Sequence, residues 1–495
     1  MKNNSDHLKH LVIDFLNCKE KILVRDAHNR QVYRFSDTNG QGYYIKLYTS
    51  GLISKIKVIH EVKYHNYLIK RGVALPQIIG STIFIDRDGK KKIVVFSKEA
   101  DGIPLTESNI CNDPHKFLDI FHLLIKFLAD NYKKGIMHND LHLGNILWDE
   151  SKKKFIFVDS KKIKYKYFLN NKEIIKNFSL LFLAFDKMPW FNLSIWNKFL
   201  NLFFGQCGVD NKYMFYAEQV RMLLFKKWIK KRTDRCFREN TDFSVYKRNG
   251  VYGICQKKFN SFNGQNNIFE YLGAIFESDK TKFIKNSNTT AVVKLNIAGK
   301  EVVVKKFKVK RVFDPLKNIF RKSRGYRCWK WSWMLNLNKF PVPEPLFFFE
   351  KRKFGLLKES YFAAEFCSQT KTVTDYINTT EHFNRTTFIN SFAQFLNEFI
   401  ENDLCHNDFQ LKNILVKEDN GKYNFYLIDL ESIGGKIKNR DKKVWFYLKY
   451  LKKSFLRLKN PSLFTNREII LFVRKIMFNI KPNHNKILGF MHKNG

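Results

Sequence analysis

The strongest constraint on this 495-residue chain is an internal repeat of very long period. Residues 137–148 read MHNDLHLGNILW, and residues 405–416 read CHNDFQLKNILV. His138, Asp140 and Asn145 recur 268 positions later as His406, Asp408 and Asn413. Asp159, in FIFVDS, recurs 270 positions later as Asp429 in FYLIDL. Lys46, in YYIKLY, recurs 259 positions later as Lys305 in VVVKKF. Five positions in one order, at nearly constant offset, indicate two copies of one domain, and the period is far too long for a solenoid. The length also exceeds that of one ordinary core. A polar, charged stretch near 235–245, without a Pro- or Gly-rich linker, places the boundary between domains 1–238 and 239–495.

Each copy reads the same way. Short alternating strand signals (QVYRFSD, GYYIKLY, KKIVVFSKE; then TAVVKLNI, EVVVKKF, LLKESYFAAEF) are interrupted by one helical stretch. That stretch is 55–72 in the first copy, ended by Gly72 and Pro76, and 323–340 in the second, ended by Pro341 and Pro343. Longer helical segments, 115–135 and 386–403, precede the His-Asn-Asp motifs, and a strand bearing the late Asp follows each. The expected fold class is α+β: two tandem domains, each with a small antiparallel-β N-lobe carrying one helix and a larger helical C-lobe.

A strand lysine, then His-x-Asp-x-x-x-x-Asn, then Asp at a strand end is the order of parts in kinase-type phosphoryl transfer. That chemistry needs a cation on the phosphates, metal ions on the transferring group and a carboxylate at the acceptor hydroxyl. Asp140 and Asp408 fit the catalytic carboxylate. Asn145 with Asp159, and Asn413 with Asp429, fit the oxygen ligands of Mg2+. Lys46 and Lys305 fit the phosphate-binding cation, and His138 and His406 fit braces for the catalytic loop. Glu61, fifteen residues after Lys46 on the intervening helix, is placed to pair with it. The second copy has Cys328 there, amid Arg324, Arg327 and Lys330, so Lys305 must find another partner or stay unpaired. Neither copy has a marked Gly-rich loop, an Asp-Phe-Gly, a His-Arg-Asp or an Ala-Pro-Glu, which argues against a typical protein kinase.

Composition narrows the partners. Lys plus Arg number 88 against 46 Asp plus Glu, a formal +42, which attracts polyanions. No RNP, zinc-finger or homeodomain pattern favours nucleic acid. Residues 305–330 hold eleven Lys/Arg against one Asp, and FKKWIKKR at 225–232 adds a second basic segment. Each reads either as a solvated face or as a docking surface for anionic lipid headgroups or for the phosphates and carboxylates of a substrate. The eight cysteines are scattered, with no C-x-x-C, which fits a reducing cytoplasm. The longest apolar run, FSLLFLAF at 178–185, is too short to span a bilayer, and the aromatic stretch 177–205 reads as core.

The sequence resembles the bacterial lipopolysaccharide core kinases, which phosphorylate heptose or Kdo sugars. The second copy carries the closer likeness, through VVVKKFKVKRVFDPLKNIFRKSRGYRCWKWSWMLNLNKFPVPEPL, LCHNDFQLKNILV, FYLIDLESI and NRDKKVWFYLKYLKKSF. The first matches through IKRGVALP, EADGIPL, GIMHNDLHLGNILW and FIFVDSKKIK. The resemblance implies a protein-kinase-like fold, ATP and Mg2+ as co-substrates, and a lipopolysaccharide acceptor. It also implies work as a peripheral protein at the cytoplasmic face of the inner membrane. The tandem form departs from the family's usual single domain. Three readings follow: a bifunctional kinase with one acceptor per domain, one domain as a pseudokinase scaffold for the other, or a soluble aminoglycoside- or choline-type phosphotransferase.

Overall fold

In a computed structural model the chain forms two compact units, Met1–Trp228 and Ile229–Gly495. The structure describes all residues except 1, 28–29, 87, 187, 189, 260–267, 298, 310–321, 381, 402–403, 435–436, 438, 460–464 and 477–495. Residues 310–321 of the basic segment 305–330 therefore lie outside the described residues. No helix among the described residues is long and apolar enough to cross a membrane.

The N-lobe of the first unit is a five-stranded antiparallel sheet in the order Ile22–Ala27, Arg30–Ser36, Gly42–Thr49, Lys91–Lys98, Ile78–Ile85. The strand Gly42–Thr49 shows why Lys46 faces the cleft. Tyr43, Ile45 and Leu47 alternate onto one face, where they pack with Leu11 and Phe15 of the helix Lys2–Asn17. Period-two alternation sends Lys46 to the other face. The helix Leu52–Lys70 covers that second face, where its Val58 packs on Ile93 and Val95.

The C-lobe of the first unit is built on aromatic rings. Asp113 caps the helix Pro114–Lys133 by accepting from His115 N and Lys116 N, and Pro114 occupies its first turn. Phe117, Phe121, Leu124, Ile125 and Leu128 of this helix are buried. They meet the helix Leu193–Cys207, where Phe121 stacks on Phe199 at 3.6 Å. Phe178 stacks on Phe203 at 3.8 Å, and Phe182, Phe185 and Trp196 are buried beside them. The aromatic stretch 177–205 is core.

The second unit repeats this plan and adds to it. Its sheet has seven strands, in the order Phe243–Arg248, Val251–Gln256, Pro345–Lys353, Leu356–Glu365, Lys300–Lys308, Thr290–Ile297, Phe283–Asn286. The last five reproduce the order of the first unit. The first two form an edge hairpin that the strand reading of the sequence did not include. Its signal was present: Asn249 and Gly250, both at positive φ (50° and 74°), make the tight turn that favours Asn-Gly. Gly253 is required there, because a Cβ would lie 2.0 Å from the Phe349 ring. The helix Arg324–Leu337 starts at Ser323, whose hydroxyl accepts from Tyr326 N. Gly325 lets this helix approach the sheet, since a Cβ would sit 2.7 Å from the Tyr361 carbonyl oxygen. Below, the helix Arg385–Glu401 buries Phe388, Phe392, Phe395 and Phe399 against the helices Arg440–Phe455 and Asn466–Ile476.

Candidate active sites

Each catalytic loop runs into a strand pair that delivers the late aspartate. In the first unit Ile146–Asp149 pairs with Lys154–Phe157; in the second, Ile414–Asp419 pairs with Lys422–Leu427. Asp159 (φ 55°, ψ 60°) and Asp429 (φ 66°, ψ 41°) then both turn left-handed. A non-glycine residue in this region is uncommon, and its recurrence at matched positions marks a built feature.

Histidine braces both loops. His138 Nε2 lies 2.8 Å from the Val158 carbonyl, so it carries the proton, and Nδ1 accepts the Asp140 N–H at 3.3 Å. Burial keeps this imidazole neutral by lowering its pKa. His406 Nδ1 accepts the Asp408 N–H at 3.2 Å, and burial lowers its pKa too. Different side chains complete the support. The Asn177 amide donates to the His138 carbonyl at 2.8 Å. In the second unit the Tyr447 hydroxyl donates to the Leu404 carbonyl at 2.9 Å and accepts the His406 N–H at 3.1 Å.

The asparagines are oriented alike. Asn145 Nδ2 donates to the Asp140 carbonyl at 2.9 Å, and Asn413 Nδ2 donates to the Asp408 carbonyl at 2.8 Å. With the nitrogen engaged, Oδ1 is the end left for a hard cation, which suits the Mg2+ role. Asp408 is further held: Asn413 Nδ2 reaches its Oδ2 at 3.2 Å, and Gln410 Nε2 donates to its Oδ1.

Around the strand lysine the two units part. In the first, Lys46 Nζ lies 2.9 Å from Glu61 Oε1. Glu61 Oε2 takes Lys161 at 2.6 Å and the Tyr48 hydroxyl at 2.8 Å. Burial alone would raise the Glu61 carboxyl, but Lys46 and Lys161 reverse this and hold it below the usual range. Burial and the Glu61 charge push Tyr48 up to about 12. His65, on the same helix, ties it to the loop after Asp159: Nε2 contacts the Pro76 carbonyl at 2.8 Å and Nδ1 contacts Ser160 Oγ at 2.9 Å.

In the second unit Lys305 pairs instead with Asp429, Nζ to Oδ1 2.7 Å. Burial disfavours the ammonium, yet Asp429 and Glu431 raise its pKa, and Lys305 in turn holds Asp429 far below the carboxylate range. Glu431 stands two residues after Asp429, where the first unit has Lys161 two residues after Asp159. Its Oε1 binds Arg324 at 2.8 Å, and its Oε2 accepts from the Cys328 thiol at 3.4 Å. The carboxylate beside the lysine has thus moved from helix to loop, and its cation from loop to helix. Spacing from Lys305 could not find Glu431. The signal was the opposite charge at matched positions, VDSK against IDLE.

The second unit encloses these groups in a cavity of about 690 Å3. Lys305, Asn413, Asp429 and Glu431 line one part, and Val292, Val303, Phe362, Ala364 and Leu427 supply apolar walls. Arg324 also closes toward it, donating to the Thr289 carbonyl at 3.1 Å in the loop that stands where a Gly-rich loop would. Two residues before the lysine, Val303 has Tyr44 as its counterpart. Tyr44 is half-buried, and burial together with the Glu99 carboxylate pushes its phenol up. The basic segment 225–232 lies on the helix Met214–Arg235, with Lys226, Lys227, Lys230 and Lys231 exposed.

No curated protein matches the sequence. Among solved structures, WaaP in complex with acyl carrier protein is similar over 43% of this chain and 92% of that one, at 14% identity and TM-score 0.30. The amicoumacin kinase hAmiN in complex with AMP-PNP, Ca2+ and Ami is similar over 49% of this chain and 90% of that one, at 14% identity and TM-score 0.35. The family match falls inside the second unit and covers the lysine strand, the catalytic loop and the late aspartate. Residues 273–475 match the family model described as the lipopolysaccharide kinase (Kdo/WaaP) family.

Proposed function

We propose that this protein is an ATP-dependent kinase that phosphorylates a sugar hydroxyl, of heptose or Kdo, in the lipopolysaccharide inner core, at the cytoplasmic face of the inner membrane. The observation that carries this reading is the second unit's cavity, where Lys305, Asn413 and Asp429 line an apolar-walled slot inside the family-matched stretch. Asp408, its carboxylate held by Gln410 and Asn413, accepts the proton of the acceptor hydroxyl and orients its oxygen. Lys305 stays charged and offers its ammonium to the phosphates. Asn413 Oδ1 and the Asp429 carboxylate are hard oxygen donors that fit Mg2+ and would hold it. Mg2+ supplies, when bound, neutralisation of the charge on the transferring group.

The first unit carries Asp140, Asn145 and Asp159 on a loop braced in the same way, with Lys46 on the matching strand but paired to Glu61, which supports a second acceptor hydroxyl. One observation favours a second reading, in which the first unit scaffolds the other: Tyr44 puts a phenol where the second unit has the small side chain of Val303.

The test is transfer from labelled ATP to purified core lipopolysaccharide by the full chain with Mg2+, beside Asp408→Asn and Asp140→Asn made singly. The expected result is glycolipid labelling that Asp408→Asn abolishes. Labelling of free aminoglycoside or choline with none of the glycolipid would overturn the acceptor. Loss of a different phosphorylated position in each single variant would remove the scaffold reading.

A further inference from the structure

The helix Leu52–Lys70 is apolar on two sides, and the described residues of its unit cover only one of them. Val58, Glu61, His65 and Leu68 form its buried face. Leu52, Ile53, Ile56 and Ile59, on its first two turns, are 76%, 69%, 60% and 44% exposed. At 3.6 residues per turn Leu52, Ile56 and Ile59 run in one stripe opposite the buried residues, with Ile53 beside them. The edge strand Ile78–Ile85 extends the patch. Ile83 pairs with Ile93, which packs under Val58, so Ile83 and Ile85 lie on the helix-covered face of the sheet. They are 47% and 60% exposed.

Six large aliphatic side chains exposed on two adjoining elements exceed the scattered apolar residues of an ordinary surface. Their rim is cationic. Lys55, Lys57, Lys63 and Lys70 are exposed on the helix, whose one acid, Glu61, is buried in its ion-pair cluster. The nearest acids on the edge strand's turn are Asp86, which pairs with Lys92 at 3.7 Å, and Asp88. A second copy of the chain would bring like-charged lysines together across a two-fold axis. An anionic bilayer surface matches both features: hydrocarbon for the isoleucines and phosphates for the lysines.

We propose that the outer face of this helix, with Ile83 and Ile85, docks the protein on an anionic lipid surface. The proposal concerns binding alone and stands apart from the identity of the acceptor. Its test is co-sedimentation of the full chain with vesicles of phosphatidylcholine, with and without about 30% phosphatidylglycerol. The wild type should prefer the anionic vesicles. Ile53→Ser/Ile56→Ser should weaken that binding by roughly tenfold or more. Lys55→Gln/Lys57→Gln/Lys63→Gln should weaken it by about a hundredfold at low salt, at about fivefold per charge. Neither variant changes a buried position, and an unchanged thermal melt verifies the fold. Wild-type vesicle binding by Ile53→Ser/Ile56→Ser overturns the proposal. So does a wild-type dimer that this variant converts to monomer in sedimentation velocity with no effect on vesicles.

Discussion

The two candidate sites share a frame and differ in where they keep one pair of charges. In the first, the carboxylate is Glu61 on the interleaved helix and the cation is Lys161 on the loop after Asp159. In the second, the carboxylate is Glu431 on the loop and the cation is Arg324 on the helix. Either arrangement bridges helix to loop, and either leaves a buried carboxylate near the strand lysine. A buried charge must be paired, and the pairing can be transposed if both partners move together. The lysine feels the difference: Lys46 binds the helix acid, whereas Lys305 binds Asp429, the expected metal ligand. The lesson is that a kinase-like centre can lose its helix glutamate and keep the charge balance that the glutamate maintained.

The comparison can be broken at its largest effect by the catalytic carboxylates. Removing a positioned base costs about 10²–10⁴-fold in rate, so Asp408→Asn and Asp140→Asn, followed by labelled phosphate transfer, should each show a loss of that size if both units work. Equal activity of wild type and Asp140→Asn would leave chemistry in the second unit alone.

The transposition itself is testable by thermal and chemical unfolding. Cys328→Glu alone sets a second carboxylate beside Glu431, and an unbalanced buried charge costs about 3–5 kcal/mol. Adding Glu431→Lys recreates the first unit's arrangement and should recover more than half of that loss. A double variant no more stable than the single one would show that the two pairs are not equivalent.

A smaller effect sharpens the contrast between Val303 and Tyr44. Overfilling a packed site costs about 1–3 kcal/mol. Val303→Tyr should therefore weaken nucleotide binding by the second unit roughly tenfold or more, read by titration with a fluorescent ATP analogue. Tyr44→Val should add a second nucleotide equivalent if the phenol is what restricts the first unit.

The smallest effect is on pH. Burial lowers the pKa of His65 and His138 in the first unit and of His406 in the second. A depressed folded pKa gives stability that is present above the unfolded value of about 6.5 and lost as pH falls toward the folded one. Each such histidine costs up to about 1.4 kcal/mol per pH unit. The paired carboxylates Glu61 and Asp429 lose their contribution only below about pH 4. Between pH 7 and 5 the first unit, with two of these histidines, should lose more stability than the second. Hydrogen exchange followed by mass spectrometry resolves the two units.

Much of the frame was legible in the chain. The lysine strand was readable because Tyr43, Ile45 and Leu47 alternate about Lys46, and the interleaved helix because Gly72 and Pro76 end it. The asparagine and late-aspartate positions followed from spacing across a short loop and a strand pair. The edge hairpin at 243–256 escaped the reading although Asn249-Gly250 signals it. Glu431 escaped for a different reason: it meets Arg324 across 107 positions, and no local periodicity records such a meeting.

The sequence by itself determined the duplication, the order of catalytic parts and the excess of positive charge, because each is a matter of residue type and spacing along the chain. The sequence also placed Glu61 to meet Lys46, but only the tertiary structure decided which charges meet in the second unit. It placed Glu431 against the helix of the second unit, set Lys305 on Asp429, and left the isoleucines of Leu52–Lys70 uncovered. Those outcomes depend on distances of a few ångströms between residues far apart in the chain, and at that range desolvation and Coulomb energy, rather than propensity, select the partner.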